Sequence, residues 1–89
     1  MEVTIKLYGV KSLKDKRSIV RPILMKLRND FNCSAIESDA LDSHEVAVIC
    51  FAILNTSGPE LDSTMETMQK AIYNKSGFEP TVTRREVFS

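Results

Sequence analysis

An unbroken run of nine apolar residues, Val46 to Leu54, lies in the middle of this 89-residue chain. The run is too short to cross a bilayer as a helix, and it is typical of a buried strand, which we place at residues 44–54. Alternate residues of a strand face opposite sides of a sheet, and both sets are apolar here: Ala47, Ile49, Phe51 and Ile53 in one, Val46, Val48, Cys50, Ala52 and Leu54 in the other. A strand that is apolar on both sides is expected to be covered on both sides.

The rest of the chain alternates between strand-like and helix-like patterns. Strands are predicted where apolar and polar residues alternate, and helices where apolar residues recur every three or four positions. The predicted elements are strand 2–9, helix 12–31, strand 33–40, strand 44–54, helix 58–76 and strand 80–88. This order predicts an α+β fold, a ferredoxin-like βαββαβ sandwich in which a four-stranded antiparallel sheet carries two helices on one face. A chain of this length suits a single domain, residues 1–89.

Local signals mark the ends of the two predicted helices. Ser12 followed by Asp15 resembles an N-terminal capping box. Pro22 is expected to bend the first helix, because an internal proline removes a hydrogen bond; the alternative is that this helix begins near Ile19. Ser57 is expected to cap the second helix, and Gly77 suits its exit.

The face of the sheet away from the helices would be open. The central strand places apolar residues on that face, and we expect a second copy of the chain to cover it. The residues predicted for this homo-oligomer sheet face are Tyr8, Val48 and Phe51. The alternative is an apolar patch of ordinary size that needs no partner.

The segment after the first strand carries a family resemblance. Residues 12–17 have the sequence Ser-Leu-Lys-Asp-Lys-Arg, and Leu-Arg-Asn-Asp-Phe-Asn follows at 27–32 and Ser-Ala-Ile-Glu at 34–37. Together these segments resemble the YlxP-like family of small bacterial proteins, a domain of unknown function. The resemblance spans nearly the whole chain and implies a ferredoxin-like fold, but it carries over no catalytic residue. Proteins of this family are often encoded beside translation-initiation and ribosome-maturation genes.

The net charge is zero, but the charges are unevenly distributed along the chain. Residues 1–30 contain eight Lys or Arg and three acids, whereas residues 31–66 contain seven acids and no Lys or Arg. On an ideal helix Lys14, Arg17, Arg21 and Arg28 fall within an arc of about 60°, and Lys16 lies near the first turn. Such a row suits phosphate groups.

We predict that these five basic residues bind RNA phosphates or a protein partner. The expected partner is ribosomal RNA or a ribosome-associated protein. In the alternative interpretation the row is a solvated face, or it forms salt bridges with Glu37, Asp39 and Asp42.

The sequence shows no constellation of catalytic or metal-binding residues. His44 is the single histidine, so zinc sites and histidine-based triads are not expected. The acids Glu37, Asp39, Asp42 and Glu45 lack the spacing and the glycine of a calcium loop. A hairpin turn at 40–43 would place Cys33 opposite Cys50, where both thiols are expected to stay reduced.

The most consistent function is therefore binding. We expect a small cytoplasmic adaptor protein near the translation machinery, not an enzyme, with no metal, no cofactor and no membrane segment. The alternative is a homo-oligomeric protein-interaction module without a nucleic-acid role.

Overall fold

The computed structural model describes residues 1–54 and 58–86, and its elements follow the predicted order. They are β1 (Glu2–Lys6), α1 (Leu13–Phe31), β2 (Ser34–Asp39), β3 (Val46–Ala52), α2 (Gly58–Ser76) and β4 (Pro80–Arg84). Both helices match the predicted bounds to within one residue. The strands are shorter than predicted at their ends, and the predicted strand residues 87 and 88 lie outside the described part of the chain.

The four strands form one antiparallel sheet with the order β2-β3-β1-β4. The two helices pack against each other, α1 beside β2 and α2 beside β4. This arrangement confirms the predicted ferredoxin-like sandwich. The apolar run lies in β3, one of the two central strands, as the pattern predicts.

The core lies between the sheet and the two helices. Its buried side chains alternate along the central strands and recur at helical spacing in the helices: Val3, Ile5, Ala47, Ile49 and Phe51 from the strands, Val20, Ile23, Leu27, Met68 and Ile72 from the helices. The prediction that Phe51 lies on the open face is wrong, because its side chain is 1% exposed in this core. Val48 and Phe51 are three residues apart in one strand, and residues at odd spacing face opposite sides.

Helix α1 begins at the predicted cap and continues through its proline. The Ser12 hydroxyl accepts a hydrogen bond from the Asp15 backbone N–H at 3.1 Å. Pro22 lies inside the helix, so the alternative start near Ile19 is wrong. At the exit of α2, Gly77 has φ +77° and its N–H donates to the Tyr73 carbonyl at 2.7 Å. The predicted cap Ser57 lies outside the described residues.

The register between β2 and β3 differs from the prediction by three residues. Ile36, not Cys33, is opposite Cys50, and the pairing shifts between Glu37 and Asp39. The physical reason is the connection: residues 40–45 form a loop longer than a tight hairpin turn, and β2 carries an irregularity. Cys33 packs against the core, whereas Cys50 lies on the open face, so the two thiols are not neighbours.

Candidate functional site

Three of the predicted basic site residues lie together on the outer surface of α1. Lys14, Arg17 and Arg21 are exposed, and no residue within 1–54 or 58–86 forms an ion pair or hydrogen bond with their side chains. At 1.5 Å of rise per residue, the row spans about 10 Å along the helix. We call Lys14, Arg17 and Arg21 the free cation row.

Lys16 does not belong to this row. Its side chain is 2% exposed, and its Nζ donates hydrogen bonds to the Ala40 carbonyl at 2.7 Å and the Ser43 carbonyl at 2.6 Å. The same Nζ lies 2.7 Å from Glu37 Oε2. The prediction that Lys16 binds an external phosphate is therefore wrong, since all its contacts are internal.

The position of Lys16 follows from the phase of the helix. Lys16, Val20, Ile23 and Leu27 recur at spacings of four, three and four residues, and all four are buried. This spacing indicates that Lys16 faces the core. The sequence analysis missed that signal because it grouped Lys16 with the neighbouring basic residues by residue type. A long lysine side chain can bury its stem and still bring its ammonium group to polar atoms.

The Lys16 contacts hold the β2–β3 loop against the start of α1. The Glu37 side chain is 16% exposed, and its Oε2 forms an ion pair with Lys16. This oxygen accepts no hydrogen bond from the described residues. Together with the Ala40 and Ser43 carbonyls, this carboxylate surrounds the ammonium group. Asp39, another predicted salt-bridge partner, instead accepts a hydrogen bond from the Ala40 N–H at 2.7 Å.

Arg28 is also used within the fold. Its Nε and Nη2 donate to the Ala35 carbonyl at 3.1 and 2.6 Å, which ties the end of α1 to β2. Because two of its donor nitrogens are engaged there, Arg28 does not extend the free cation row. Of the five basic residues predicted to bind RNA phosphates or a protein partner, Lys16 and Arg28 thus have internal partners in the described chain.

The loop before α1 is held close to the β2–β3 loop. The Leu7 N–H donates to the Glu45 carbonyl at 2.8 Å, and His44 Nδ1 lies 2.8 Å from the Val10 carbonyl. Tyr8, predicted for the open face, lies in this loop and is 75% exposed. These contacts hold the loop before α1, and with it the start of the helix that carries the free cation row, against the β2–β3 loop.

The acidic side chains of the described residues do not form a metal-binding cluster. Within the described ranges, no three His, Cys, Asp or Glu side chains converge as a metal site would require. Neither described helix is apolar enough over a sufficient length to cross a membrane. An open cavity of about 330 Å³ at the end of β3 is lined largely by apolar groups, with Arg84 and Glu86 paired at 3.5 Å.

Cys33 carries a partly buried thiol that packs against the core. Its Sγ donates to the Leu27 carbonyl at 3.3 Å. Burial raises the pKa of the thiol above its ordinary value, although a hydrogen bond with the Cys33 backbone and the charge of Arg28 oppose the shift. A raised pKa means less thiolate at any given pH, and the thiolate is the nucleophile.

We expect slow alkylation of Cys33. In a Cys50→Ser variant, iodoacetamide at mildly alkaline pH should react more slowly with folded protein than with protein unfolded in urea. At a pH below the pKa, each unit by which the pKa is raised lowers the thiolate fraction about tenfold. The difference between the two alkylation rates should therefore narrow as the pH approaches the pKa of Cys33 in the folded protein. Equal rates in the folded and unfolded protein would contradict a partly buried thiol with a raised pKa. Mass spectrometry over time measures both rates.

Comparison with known proteins places the whole described fold in one family. Residues 1–85 match the family model described as "Protein of unknown function (DUF503)". The chain is similar to a Bacillus subtilis (strain 168) protein described as "Uncharacterized protein YlxP", with 28% identity over 82 residues, which cover 92% of this chain and 89% of that protein. Neither description names a ligand, a reaction or a partner.

Proposed function

The chain belongs to the DUF503 family of proteins of unknown function, and from that premise we propose that it is a binding protein whose helix α1 contacts the phosphate backbone of RNA. The YlxP-like resemblance expected from the sequence is confirmed by the family match and the Bacillus relative. RNA binding is the part that we propose, and it rests on the exposed, unpaired basic side chains of α1.

The observation that carries this proposal is the unpartnered state of the free cation row. Five other basic side chains have internal partners in the described chain: Lys16, Lys26, Arg28, Arg84 and Arg85. The row has none within the described residues, although the chain contains as many acids as bases. Lys6, Lys11, Lys70 and Lys75 are also unpaired there, but only the row places three cations on one face of a helix. Arginine binds phosphate through two parallel hydrogen bonds and lysine binds it as a point charge, so three such groups on one rigid helix can follow a phosphate backbone.

The same chemistry indicates how RNA would be recognised. Phosphate contacts fix position and orientation but carry no base sequence. Ferredoxin-like RNA-binding modules read bases by stacking them on exposed aromatics of the sheet, and Phe51 is buried here. We therefore expect recognition of backbone shape and charge rather than of sequence. The resemblance to proteins encoded beside ribosome-maturation genes favours ribosomal RNA, and with it a cytoplasmic site of action.

A salt titration with ribosomal RNA fragments tests the proposal. Three phosphate contacts predict a log–log slope of affinity against salt of about −2 to −3. Replacing Arg17 and Arg21 together by Gln should reduce that slope by about 1.4–1.8, because each lost contact removes ~0.7–0.9. Fluorescence anisotropy of a labelled fragment gives the affinity at each salt concentration.

A matched control separates the row from net charge. Replacing Lys70 and Lys75 by Gln removes the same charge from exposed positions on α2 and should leave the slope unchanged. Equal losses in both double variants would mean nonspecific attraction, and no binding by the wild type at low salt would overturn the RNA proposal. Capture of ribosomal proteins without RNA, lost in the Arg17 and Arg21 variant, would instead assign the row to a protein partner.

A further inference from the structure

Tyr8 is the most exposed aromatic side chain among the described residues, with 75% of its surface open to solvent. It lies in the loop between β1 and α1, outside the sheet. Its hydroxyl group makes no hydrogen bond with the described part of the chain. Tyr73, the next most exposed aromatic, is 47% exposed on α2. The proposed contact between α1 and RNA phosphates leaves the Tyr8 ring without a role.

The loop holds the Tyr8 backbone in a fixed position. Leu7 and Val10, on either side of the tip, both pack against the core. A polar contact of 2.8 Å joins each of them to residues 44–45. Between these two points Gly9 has φ +77°, which glycine adopts without strain, and it shapes the turn at the tip. Tyr8 and Gly9 therefore form an exposed tip that is already ordered before a ligand binds.

Positive charges flank Tyr8 on both sides along the chain. Lys6 ends β1 two residues before it, and Lys11 follows three residues after it; both are exposed and unpaired within the described residues. The free cation row begins at Lys14, six residues after Tyr8, a separation of at most about 22 Å for a fully extended chain. The turn at Gly9 and the start of α1 make the actual separation shorter. The ring thus lies next to the row.

An exposed aromatic ring beside a row of cations is typical of a site for single-stranded nucleic acid. The cations follow the phosphates, and the flat face of a base stacks on the ring. In a duplex the faces of the bases are covered by neighbouring base pairs, so they are not available to a side chain. A base is also uncharged, so the exposed acid Glu45, whose carbonyl is bonded to the loop at Leu7, does not repel it as it would repel a phosphate.

We infer that Tyr8 is a stacking platform for an unpaired base and that the RNA bound by α1 is single-stranded. This inference rests on the proposed binding of RNA phosphates by the free cation row. The row contacts the phosphates of one strand, and a base of the same strand stacks on the Tyr8 ring. Stacking tolerates any sequence because every base has a π face. The ring therefore selects unpaired over paired RNA without reading base sequence.

Replacing Tyr8 by alanine tests the stacking contact. The probe is a labelled oligouridine of about twelve nucleotides, a length within the range of known single-strand sites. Tyr8→Ala should weaken binding of this strand at least about fivefold, whereas Tyr8→Phe, which keeps the ring, should bind within about twofold of the wild type. On the same strand annealed to oligoadenosine, Tyr8→Ala should have no effect. Fluorescence anisotropy measures each affinity, and circular dichroism checks that the variants are folded.

The salt dependence distinguishes a failure of this inference from a failure of the proposed phosphate contacts. Tyr8 is uncharged, so Tyr8→Ala should leave the log–log slope on oligouridine at about −2, the value for three contacts with a single strand. Replacing Arg17 and Arg21 together by Gln should reduce that slope to about −0.7. If the arginine variant behaves in this way but Tyr8→Ala binds like the wild type, the phosphate contacts stand and the stacking inference is overturned. No binding of oligouridine by the wild type at low salt would overturn both.

Tyrosine fluorescence reports on the stacked ring directly. The chain contains two tyrosines and no tryptophan, so Tyr73→Phe leaves Tyr8 as the single source of emission. Saturation with oligouridine should quench this emission, whereas a strand of the same length without bases should bind at least about fivefold more weakly and should not quench it. The matched control is Tyr8→Phe, whose emission comes from Tyr73 on α2 and should not change. Equal quenching in both variants, or equal affinity for the strands with and without bases, would overturn the inference.

Discussion

Replacing Lys16 by methionine is expected to lower the free energy of unfolding by about 3–5 kcal/mol, the usual cost of removing one partner from a buried ion pair. Methionine fills much of the lysine stem volume, so the lost packing is small. The loss comes from Glu37, whose carboxylate is left without its cation, and from two carbonyls of the β2–β3 loop that lose their donor. For a small domain this is a large fraction of total stability.

Lys14→Met is the matched control for this prediction. Lys14 lies two residues earlier in the same helix, is exposed and has no internal partner in the described chain. Its replacement should change the free energy of unfolding by no more than about 0.5 kcal/mol while reducing RNA binding. Urea denaturation followed by circular dichroism compares the two variants. Similar stabilities for both would show that Lys16 does not hold the loop.

A double variant tests whether the broken ion pair causes the loss of stability in Lys16→Met. In Lys16→Met combined with Glu37→Leu both charges are absent, and replacing a buried pair by apolar residues is often neutral. The double variant should be more stable than Lys16→Met alone, with the remaining deficit due to the Ala40 and Ser43 carbonyls. A double variant that is less stable than Lys16→Met would contradict an unpaired carboxylate as the source of the loss.

The secondary structure was predictable because it depends on local patterns. Alternation in β1, the unbroken apolar run of β3 and helical spacing in α1 and α2 identified these four elements and their order. The β2–β3 register was not predictable, since it depends on a six-residue loop and a strand irregularity between Glu37 and Asp39 that no local pattern marks. As a result, the predicted neighbour of Cys50 was wrong by three residues.

The candidate site was only partly predictable, for a related reason. Residue types identified a basic segment in the sequence, but the side chains of that segment differ in burial. Within residues 12–17, Ser12 caps the helix and Lys16 holds the β2–β3 loop, whereas Lys14 and Arg17 point to solvent. The helical phase of Lys16 with Val20 and Ile23 was visible in the sequence. Two other features depend on tertiary contacts and leave no local pattern. The β2–β3 loop carbonyls accept hydrogen bonds from Lys16, and the Ala35 carbonyl accepts them from Arg28.

Phe51→Ala is expected to lower the free energy of unfolding by about 3–5 kcal/mol, because it removes a large side chain from a filled core. The ring is 1% exposed on the helix side of β3, where neighbouring side chains cannot fully close the space it leaves. Phe51→Leu keeps most of the volume and should cost less than about 1.5 kcal/mol, which provides a folded variant if the alanine variant is too unstable to purify.

Ile36→Ala supplies the contrast that distinguishes the two faces of the sheet. Ile36 is 56% exposed on the open face, so its truncation should lower the free energy of unfolding by less than about 1 kcal/mol. Urea denaturation measures the stability of both variants. Equal losses for Ile36→Ala and Phe51→Ala would contradict the strand phase that places Phe51 in the core and Ile36 on the open face.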